Sequence, residues 1–132
     1  QVKLFFLYMK NMTKKEKGNS AENYANKFLK RAGYKIIRRN FNCKTGEIDI
    51  IARDKQTAEI VFVEVRFREF GIDAAIDSVN HSKQKRIIRA STYFLLTNPE
   101  FAESFIRYDI IALSKNDKKW VFDHIKDAFR KW

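Results

Sequence analysis

Charged residues stand inside two apolar segments near the middle of the chain. Asp49 lies in GEIDIIA, and Glu64 and Arg66 lie in FVEVRFR, which follows after a short polar stretch. Carboxylates that converge from neighbouring strands are what Mg²⁺ or Mn²⁺ requires, because these cations prefer oxygen ligands and leave positions for water and a phosphate oxygen. A metal held there lowers the pKa of a bound water and offsets charge on a phosphate under attack. The spacing therefore matches phosphodiester hydrolysis, with Arg66 placed to orient the water or the phosphate.

Both segments are rich in β-branched and aromatic residues, which predicts two adjacent strands. Side chains alternate between the two faces of a strand. In the first strand, Ile48 and Ile50 are expected on the face opposite Asp49. In the second, Glu64 and Arg66 are expected to share one face, opposite the three valines. A cross-strand salt bridge on a solvated sheet face is the alternative to a metal site, and spacing alone does not separate the two.

Composition and charge indicate a single folded domain with an anionic partner. The chain has 132 residues, of which 45% are hydrophobic and 14% aromatic, so a compact globule is expected. It has 27 Lys and Arg against 16 Asp and Glu, a formal net charge of +11. Nucleic acid is the first candidate partner and an anionic membrane surface the second, while a merely solvated basic surface is the bland alternative.

The amino-terminal residues and the single cysteine place further bounds. Residues 1–17 are predicted to be a flexible basic leader and residues 18–132 the folded domain. The apolar run QVKLFFLYM is too short to span a bilayer and lacks the small residues that follow a signal peptide. Cys43 has no second cysteine with which to form an internal disulfide, which fits a reducing cytoplasm.

Apolar periodicity predicts the elements that must position the acids. A first helix has Asn19 or Ser20 as its N-cap and Gly33 as its stop, and a second covers residues 82–96. Strands are predicted at 34–41, 46–52, 60–67, 106–114 and 120–125. The order αβββαββ indicates an α/β domain with a central mixed sheet flanked by helices.

Several of these segments, taken in order, resemble the bacterial YraN family of small uncharacterised proteins. They are AENYANKFLKRAGYKIIRRNF, GEIDIIA, FVEVRFR, KQKRIIRAS, IRYDIIAL and HIKDAF, within residues 18–129. That family is similar to Holliday-junction resolvases and to the wider PD-(D/E)xK nucleases. The resemblance implies a restriction-endonuclease-like core and an endonuclease-type site that uses Mg²⁺ or Mn²⁺.

The resemblance also implies roles for individual residues. Asp49 matches the first metal-binding acid and Glu64 the second, and Glu22 falls where resolvase-like proteins place an acid on the first helix. The alternative for Glu22 is a capping-box acid, with Asn19 as the N-cap. Two positions depart from the pattern: Arg66 replaces the usual lysine and Ala21 a usual glycine. A guanidinium stays charged and cannot serve as a base, so metal binding is expected to survive this change more readily than turnover.

Basic residues around the predicted strand ends and on the second long helix complete the expected site. The candidate nucleic-acid contacts are Arg39, Lys44, Arg68, Lys83, Lys85 and Arg86. Lys83 could also reach the acids from the helix side, although an exposed helix lysine is the preferred explanation. Such contacts position a backbone without reading bases, so a preference for nucleic-acid structure is expected more than sequence specificity. The resemblance to resolvases implies branched or otherwise structured DNA as the partner, with DNA expected over RNA. His124 and Asp109 are expected to be structural.

Two functional hypotheses follow from these observations, besides a third in which the chain is a protein-interaction domain whose basic charge serves only solubility. The first is a metal-dependent endonuclease with Glu22, Asp49 and Glu64 as ligands and Arg66 as the phosphate or water orienter. The second is a non-catalytic nucleic-acid-binding module that kept the fold and lost turnover at Arg66. A homodimer would suit a two-fold symmetric junction substrate, and no partner in a membrane is expected.

Overall fold

The chain folds as an α/β domain in which three strands follow the first helix and two more strands follow the later helices. The structure is a computed structural model that describes residue 4 and residues 12–69, 71–116 and 119–131. The helices are α1 (Lys14–Arg31), α2 (Ile72–Asp77) and α3 (His81–Thr97), followed by a 3₁₀ turn at Pro99–Phe101. The strands are β1 (Tyr34–Cys43), β2 (Gly46–Asp54), β3 (Ile60–Arg68), β4 (Ile106–Asn116) and β5 (Lys119–Phe129). Within these residues, none of the helices combines the length and the apolar character needed to cross a bilayer.

The five strands form one mixed sheet in the order β1-β2-β3-β4-β5. The pairs β1–β2, β2–β3 and β4–β5 are antiparallel, and β3–β4 is parallel. Parallel neighbours need a long crossover connection, which α2 and α3 provide between β3 and β4. The predicted fold class, a central mixed sheet flanked by helices, is confirmed, and it is compatible with a restriction-endonuclease-like core.

Each face of the sheet is covered by one long amphipathic helix. The α1-side core joins Ala21, Ala25 and Leu29 of the helix to inward residues of the strands: Ile50, Val61, Val63, Val65, Ile111 and Leu113. The α3-side core joins Ile87, Ile88 and Phe94 to the opposite face: Ile48, Ile51, Phe62, Tyr108 and Ile110. Both faces of the central strands are therefore buried, as expected for a sheet between two helical layers.

Helix α1 begins earlier than the sequence suggests. Thr13 is its N-cap: the Thr13 hydroxyl accepts from the Glu16 N–H, and the Glu16 carboxylate accepts from the Thr13 N–H. This reciprocal capping box stabilises a start at Lys14, so the predicted N-cap at Asn19 or Ser20 is wrong. Glu22 lies in the helix interior, which excludes its alternative role as a capping acid. Residues 14–17, assigned to the leader, are helical, whereas residues 1–3 and 5–11 lie outside the described part.

The side chains of β2 do not alternate regularly at Asp49, so the prediction that Ile48 and Ile50 share a face is wrong. Ile48 packs in the α3-side core and Ile50 in the α1-side core, although regular alternation would place them together. The opposing residue of β1 is Asn40, which has a φ of 51°. Asparagine tolerates this left-handed conformation, and the twist it introduces into β1 is followed by the paired β2. The alternation predicted for β3 is confirmed, because Phe62 and the three valines lie on opposite faces.

A buried charge network closes the end of the sheet at which β1, β3 and β4 begin. Arg107 is central to it: its guanidinium donates to carboxylates of Asp54, Glu59 and Asp109 at 2.9–3.1 Å. It also donates to the Tyr34 hydroxyl at 2.8 Å. Asp109 receives further bonds from His124 and from the Asp127 N–H. Burial alone would raise the pKa of Asp109, but these donors hold it below the ordinary value. Asp109 and His124 are therefore structural, as expected.

We expect Arg107→Met to lower the free energy of unfolding by about 3–5 kcal/mol, because it leaves buried carboxylates without their cation. Urea unfolding at pH 7 measures the effect. Arg130→Met is the matched control, since Arg130 is 81% exposed in its pair with Asp127 and should unfold like the wild type. An Arg107 variant that is as stable as the control would show that the network does not hold the sheet.

The turn between β1 and β2 packs tightly against α3 at Gly46. A Cβ atom built there would lie 2.8 Å from the backbone oxygen of Arg86, which cannot move without distorting the helix. Gly46→Ala should therefore destabilise the protein by about 1–3 kcal/mol through overpacking. Gly18→Ala, in the interior of α1 with nothing within 4 Å, should instead stabilise it by about 0.5–1 kcal/mol. Urea unfolding of both variants gives the comparison, and equal effects would contradict the tight contact.

Candidate functional site

Strands β2 and β3 separate where the two predicted acids stand. Their ladder ends at the pair Ile50 and Val63, and the next residues in register are Asp49 and Glu64. Instead of a backbone carbonyl, the carboxylate of Asp49 accepts the Val65 N–H at 2.8 Å. A buried N–H needs an acceptor, so this bond fixes the aspartate side chain in the fork between the strands. The structure thus brings Asp49 and Glu64 together, as the sequence predicts.

The two carboxyl groups are close enough for each to change the pKa of the other. Burial and the charge of Asp49 raise the pKa of Glu64 to about 8, against the opposing effect of Lys83 and Arg66. Burial also raises the pKa of Asp49, although the Val65 N–H opposes it. A pair of neighbouring acids with raised pKa values is a common property of functional sites.

Two cations approach the same oxygen of Glu64. The Arg66 Nη2 atom lies 2.8 Å from Glu64 Oε2, and the Lys83 Nζ atom lies 3.7 Å from it. Lys83 comes from the first turn of α3, where the side chain of Asn80 caps its backbone N–H at 3.0 Å. The side chain of Lys83 is only 17% exposed. It is therefore part of the acidic cluster, and the explanation of Lys83 as a solvated helix residue is wrong.

Glu22 approaches the pair from the other face of the sheet. Burial, followed by the charge of Asp49, raises the pKa of Glu22 to about 7, and Arg39 opposes this. Glu22 borders an open polar cleft of about 410 Å³, whose other lining residues are Asn19, Asn23, Arg39 and Asn40. Across the described ranges, however, no three Asp, Glu, His or Cys side chains are gathered closely enough to hold a metal as they stand. A ligand role for Glu22 stays a prediction.

The donor set of the fork fits a hard divalent cation. Asp49 and Glu64 supply carboxylate oxygens, the ligands that Mg²⁺ and Mn²⁺ prefer. With both groups ionised, Glu64 Oε1 is buried and has no hydrogen-bond donor among the residues described. A buried carboxylate oxygen without a donor is costly unless a cation meets it. Asp49 and Glu64 would therefore hold such an ion between them, with Glu22 near enough to be affected by the charge of Asp49.

The predicted nucleic-acid contacts divide between the two sides of the sheet. Arg39 is exposed on the α1 side and donates to Asn23 at 2.7 Å. Lys85 and Arg86 are exposed on α3, and the turn that bears exposed Lys44 packs against the same helix at Arg86. The basic side chains are therefore not one continuous stripe, and those of α3 and the turn lie on the side from which Lys83 reaches Glu64.

Arg68 belongs to a third basic group, which sequence reasoning missed. It lines a pocket of about 370 Å³ together with Lys14, Lys17, Phe67 and Glu69. Lys17 pairs with Glu69 and lies 5.9 Å from the centre of the Phe67 ring. The signal was present in the TKKEK segment, because a capping box there would have predicted a helix that turns Lys14 and Lys17 to one side.

Comparison with known proteins gives a family but no activity. The model of the uncharacterised protein family UPF0102 matches residues 21–113, which include Glu22, Asp49, Glu64 and Lys83. A UPF0102 protein of Caldicellulosiruptor saccharolyticus is 41% identical over 123 residues, covering 89% of this chain and 100% of that protein. One of Alcanivorax borkumensis is 38% identical over 119 residues, covering 89% and 94%. One of Desulforamulus reducens is 40% identical over 123 residues, covering 89% and 98%.

The raised pKa of Glu64 predicts how stability depends on pH. A group that binds its proton more tightly when folded stabilises the fold below its unfolded pKa, and this stability is lost as pH rises through the folded pKa. Without divalent cations, the wild type should therefore lose stability between about pH 5 and pH 8. Glu64→Gln should lose less, and at pH 8 should be more stable than the wild type by on the order of 1 kcal/mol, a few degrees in Tm.

Thermal unfolding in chelator at pH 5, 6, 7 and 8 measures this difference. Glu100→Gln, which removes an exposed acid, is the matched control and should follow the wild type at every pH. Equal losses of Tm in wild type and Glu64→Gln would contradict the assignment of a crowded, proton-binding acid pair.

Proposed function

The chain belongs to the uncharacterised protein family UPF0102, and from its site we propose that it is a metal-dependent endonuclease-like protein that cleaves branched or structured DNA. The observation that carries this proposal is the pair formed by half-buried Asp49 and buried Glu64, held in the fork between β2 and β3. A simple cross-strand salt bridge pairs one acid with one cation. Here two acids, Asp49 and Glu64, lie next to each other, and the cations Arg66 and Lys83 both approach Glu64. The raised pKa of Glu64 supports a site that prefers a bound cation.

Each residue of the fork has a distinct task in the proposed reaction. Mg²⁺ or Mn²⁺, when bound, supplies an activated water and offsets charge on the phosphate. Asp49 would help to hold the ion, and the Val65 N–H fixes one of its oxygens. Glu64 would be the second ligand, and Arg66 holds its Oε2 atom at 2.8 Å. Glu22 approaches from the α1 side as a third ligand or as an acid that binds a water of the ion.

The charge of the chain supports a polyanionic substrate. The formal net charge of +11 would draw a phosphate backbone to the protein, mainly through counterion release. Lys44, Lys85 and Arg86 are exposed on the side of α3, so a duplex arm bound there would lie beside the fork. Contacts to phosphates do not read bases, which favours recognition of DNA shape over DNA sequence.

A second candidate function is DNA binding without turnover. The observation that favours it is Arg66, because its guanidinium cannot lose a proton and is already paired with Glu64. In that case the fork would bind a divalent cation and a phosphate but would not activate water efficiently.

Cleavage of labelled DNA separates the two functions. Four-way junction, flap, single-stranded and plain duplex DNA are incubated with the protein in Mg²⁺, Mn²⁺ or chelator. We expect metal-dependent cleavage, strongest on branched DNA, and a loss of at least about 100-fold in Asp49→Asn, which keeps the acceptor for Val65 but removes the charge that binds the metal. Asp77→Asn removes an exposed acid from α2 and is the matched control, with wild-type cleavage expected.

Measurements of DNA binding and Mn²⁺ binding, made in parallel, show how an absence of cleavage should be interpreted. Asp49→Asn should retain DNA binding in chelator, since the basic residues are unchanged, while titration calorimetry should show weaker Mn²⁺ binding. DNA binding without cleavage by the wild type would favour the second function. Absence of DNA binding at low salt would sink both.

A further inference from the structure

The two cations beside Glu64, Arg66 and Lys83, differ in whether Glu64 already uses their N–H donors. Arg66 makes a close 2.8 Å contact with Glu64 Oε2, and its Nε atom is buried without a partner among the described residues. Lys83 Nζ lies 3.7 Å from the same oxygen, beyond the usual length of a hydrogen bond. The ammonium group of Lys83 thus feels the negative charge of the site, yet Glu64 does not occupy its donors.

The position of Lys83 is fixed by helix α3. Asn80 caps the helix at the Lys83 N–H, and Ile87, four residues further on, is 1% exposed in the α3-side core. Residues four apart share a helix face, so the buried isoleucine turns Lys83 toward the sheet. The aliphatic part of the lysine is covered while its charged end reaches the edge of the fork, as long basic side chains commonly do. The side chain keeps 17% exposure, which is enough for a substrate atom to meet it.

The chemistry of the Arg66 guanidinium and of the Lys83 ammonium agrees with this difference in how each contacts Glu64. A planar guanidinium suits the fixed orientation of a carboxylate, whereas a lysine ammonium is a compact point charge that commonly binds phosphate. Arg66 is therefore placed to hold Glu64, and Lys83 to meet an anion that arrives at Glu64 from the α3 side. The exposed basic residues Lys85 and Arg86 lie along the same helix and would guide that anion.

We propose that Lys83 is the catalytic cation of this site: it contacts a non-bridging oxygen of the scissile phosphate, while Arg66 is a positioning residue for Glu64. This rests on the proposed nuclease function. In the reaction, a water oxygen forms a bond to phosphorus and the bond to the leaving sugar oxygen breaks. The water loses a proton and the leaving oxygen gains one, both exchanged with solvent. Lys83 forms no covalent bond and transfers no proton, and stabilises charge on the phosphate oxygen.

Lys83→Met tests the proposal because it removes the charge and keeps an unbranched apolar side chain. We expect kcat on the best DNA substrate to fall by about 10²–10³, with a smaller change in KM. Mn²⁺ binding should be as tight as in the wild type or tighter, because a cation next to the acids has been removed. Lys83→Arg should recover cleavage to within about tenfold. Lys27→Met, an exposed lysine on α1, controls for loss of charge and should cleave normally.

Arg66→Met should behave differently, and the contrast separates a contact with substrate from a positioning role. It should weaken Mn²⁺ binding about tenfold or more, because Glu64 loses the group that orients it, and cleavage should fall with metal occupancy. Lys83→Met that cleaves like Lys27→Met overturns the proposal. So does Lys83→Met that loses Mn²⁺ binding in step with cleavage or unfolds at a much lower temperature, because Lys83 would then support the site structurally.

DNA binding in Ca²⁺ keeps the test valid if the wild type binds DNA without cleaving it. Lys83→Met should then reduce the slope of log affinity against log salt by about one, the value for one lost phosphate contact, and Lys27→Met should not. An unchanged slope overturns the role of Lys83 while leaving DNA binding intact. A wild type that binds neither Mn²⁺ nor DNA overturns the proposed function and the role of Lys83 together.

Discussion

The hydrogen bond from the Val65 N–H to Asp49 is the interaction on which the arrangement of the site depends. Strands β2 and β3 pair only as far as Ile50 and Val63, so the next buried N–H of β3 needs an acceptor that the β2 backbone does not supply. The aspartate side chain supplies it and is thereby kept in the interior of the sheet. Its carboxylate faces Glu64 across the fork, and two adjacent acids in a buried place require positive charge. Arg66 from the same strand and Lys83 from α3 provide part of it.

The domain contains two groups of acids inside the fold, and they differ in how fully they are paired with hydrogen-bond donors. This difference separates a structural network from a candidate functional site. At one end of the sheet, Asp109 receives donors from Arg107, His124 and the Asp127 N–H, and the bonds outweigh burial so that its pKa is lowered. In the fork, burial outweighs the nearby cations, and the pKa of Glu64 is raised. Complete pairing is what a structural network needs. A cation site needs incomplete pairing. The fork has this property, because Glu64 Oε1 has no donor among the described residues.

The sequence predicts the features of this fold that depend on the periodicity of neighbouring residues. Alternation in β3, the order of helices and strands, and the proximity of Asp49 to Glu64 follow from period-two and period-3.6 patterns in the sequence. The irregular alternation of β2 does not, because it arises from the left-handed conformation of Asn40 on the neighbouring strand. The start of α1 was missed because the capping box TKKE precedes the apolar periodicity. The contact of Lys83 with Glu64 was considered from the sequence but could not be decided, and the network of Arg107 was missed, because both depend on residues distant in sequence.

Arg66 has a different meaning in the structure from the one it has in the sequence. Compared with a pattern that expects lysine after the second acid, arginine suggests lost catalysis, since it cannot act as a base. The fork separates two requirements that a single lysine would otherwise meet: the orientation of Glu64 and a mobile positive charge for the substrate. The first favours a guanidinium, whose planar donors fix a carboxylate, and Arg66 makes that contact. If Lys83 meets the second requirement, as proposed, arginine at position 66 is compatible with turnover, because the cation for the phosphate would then come from a different element of the fold.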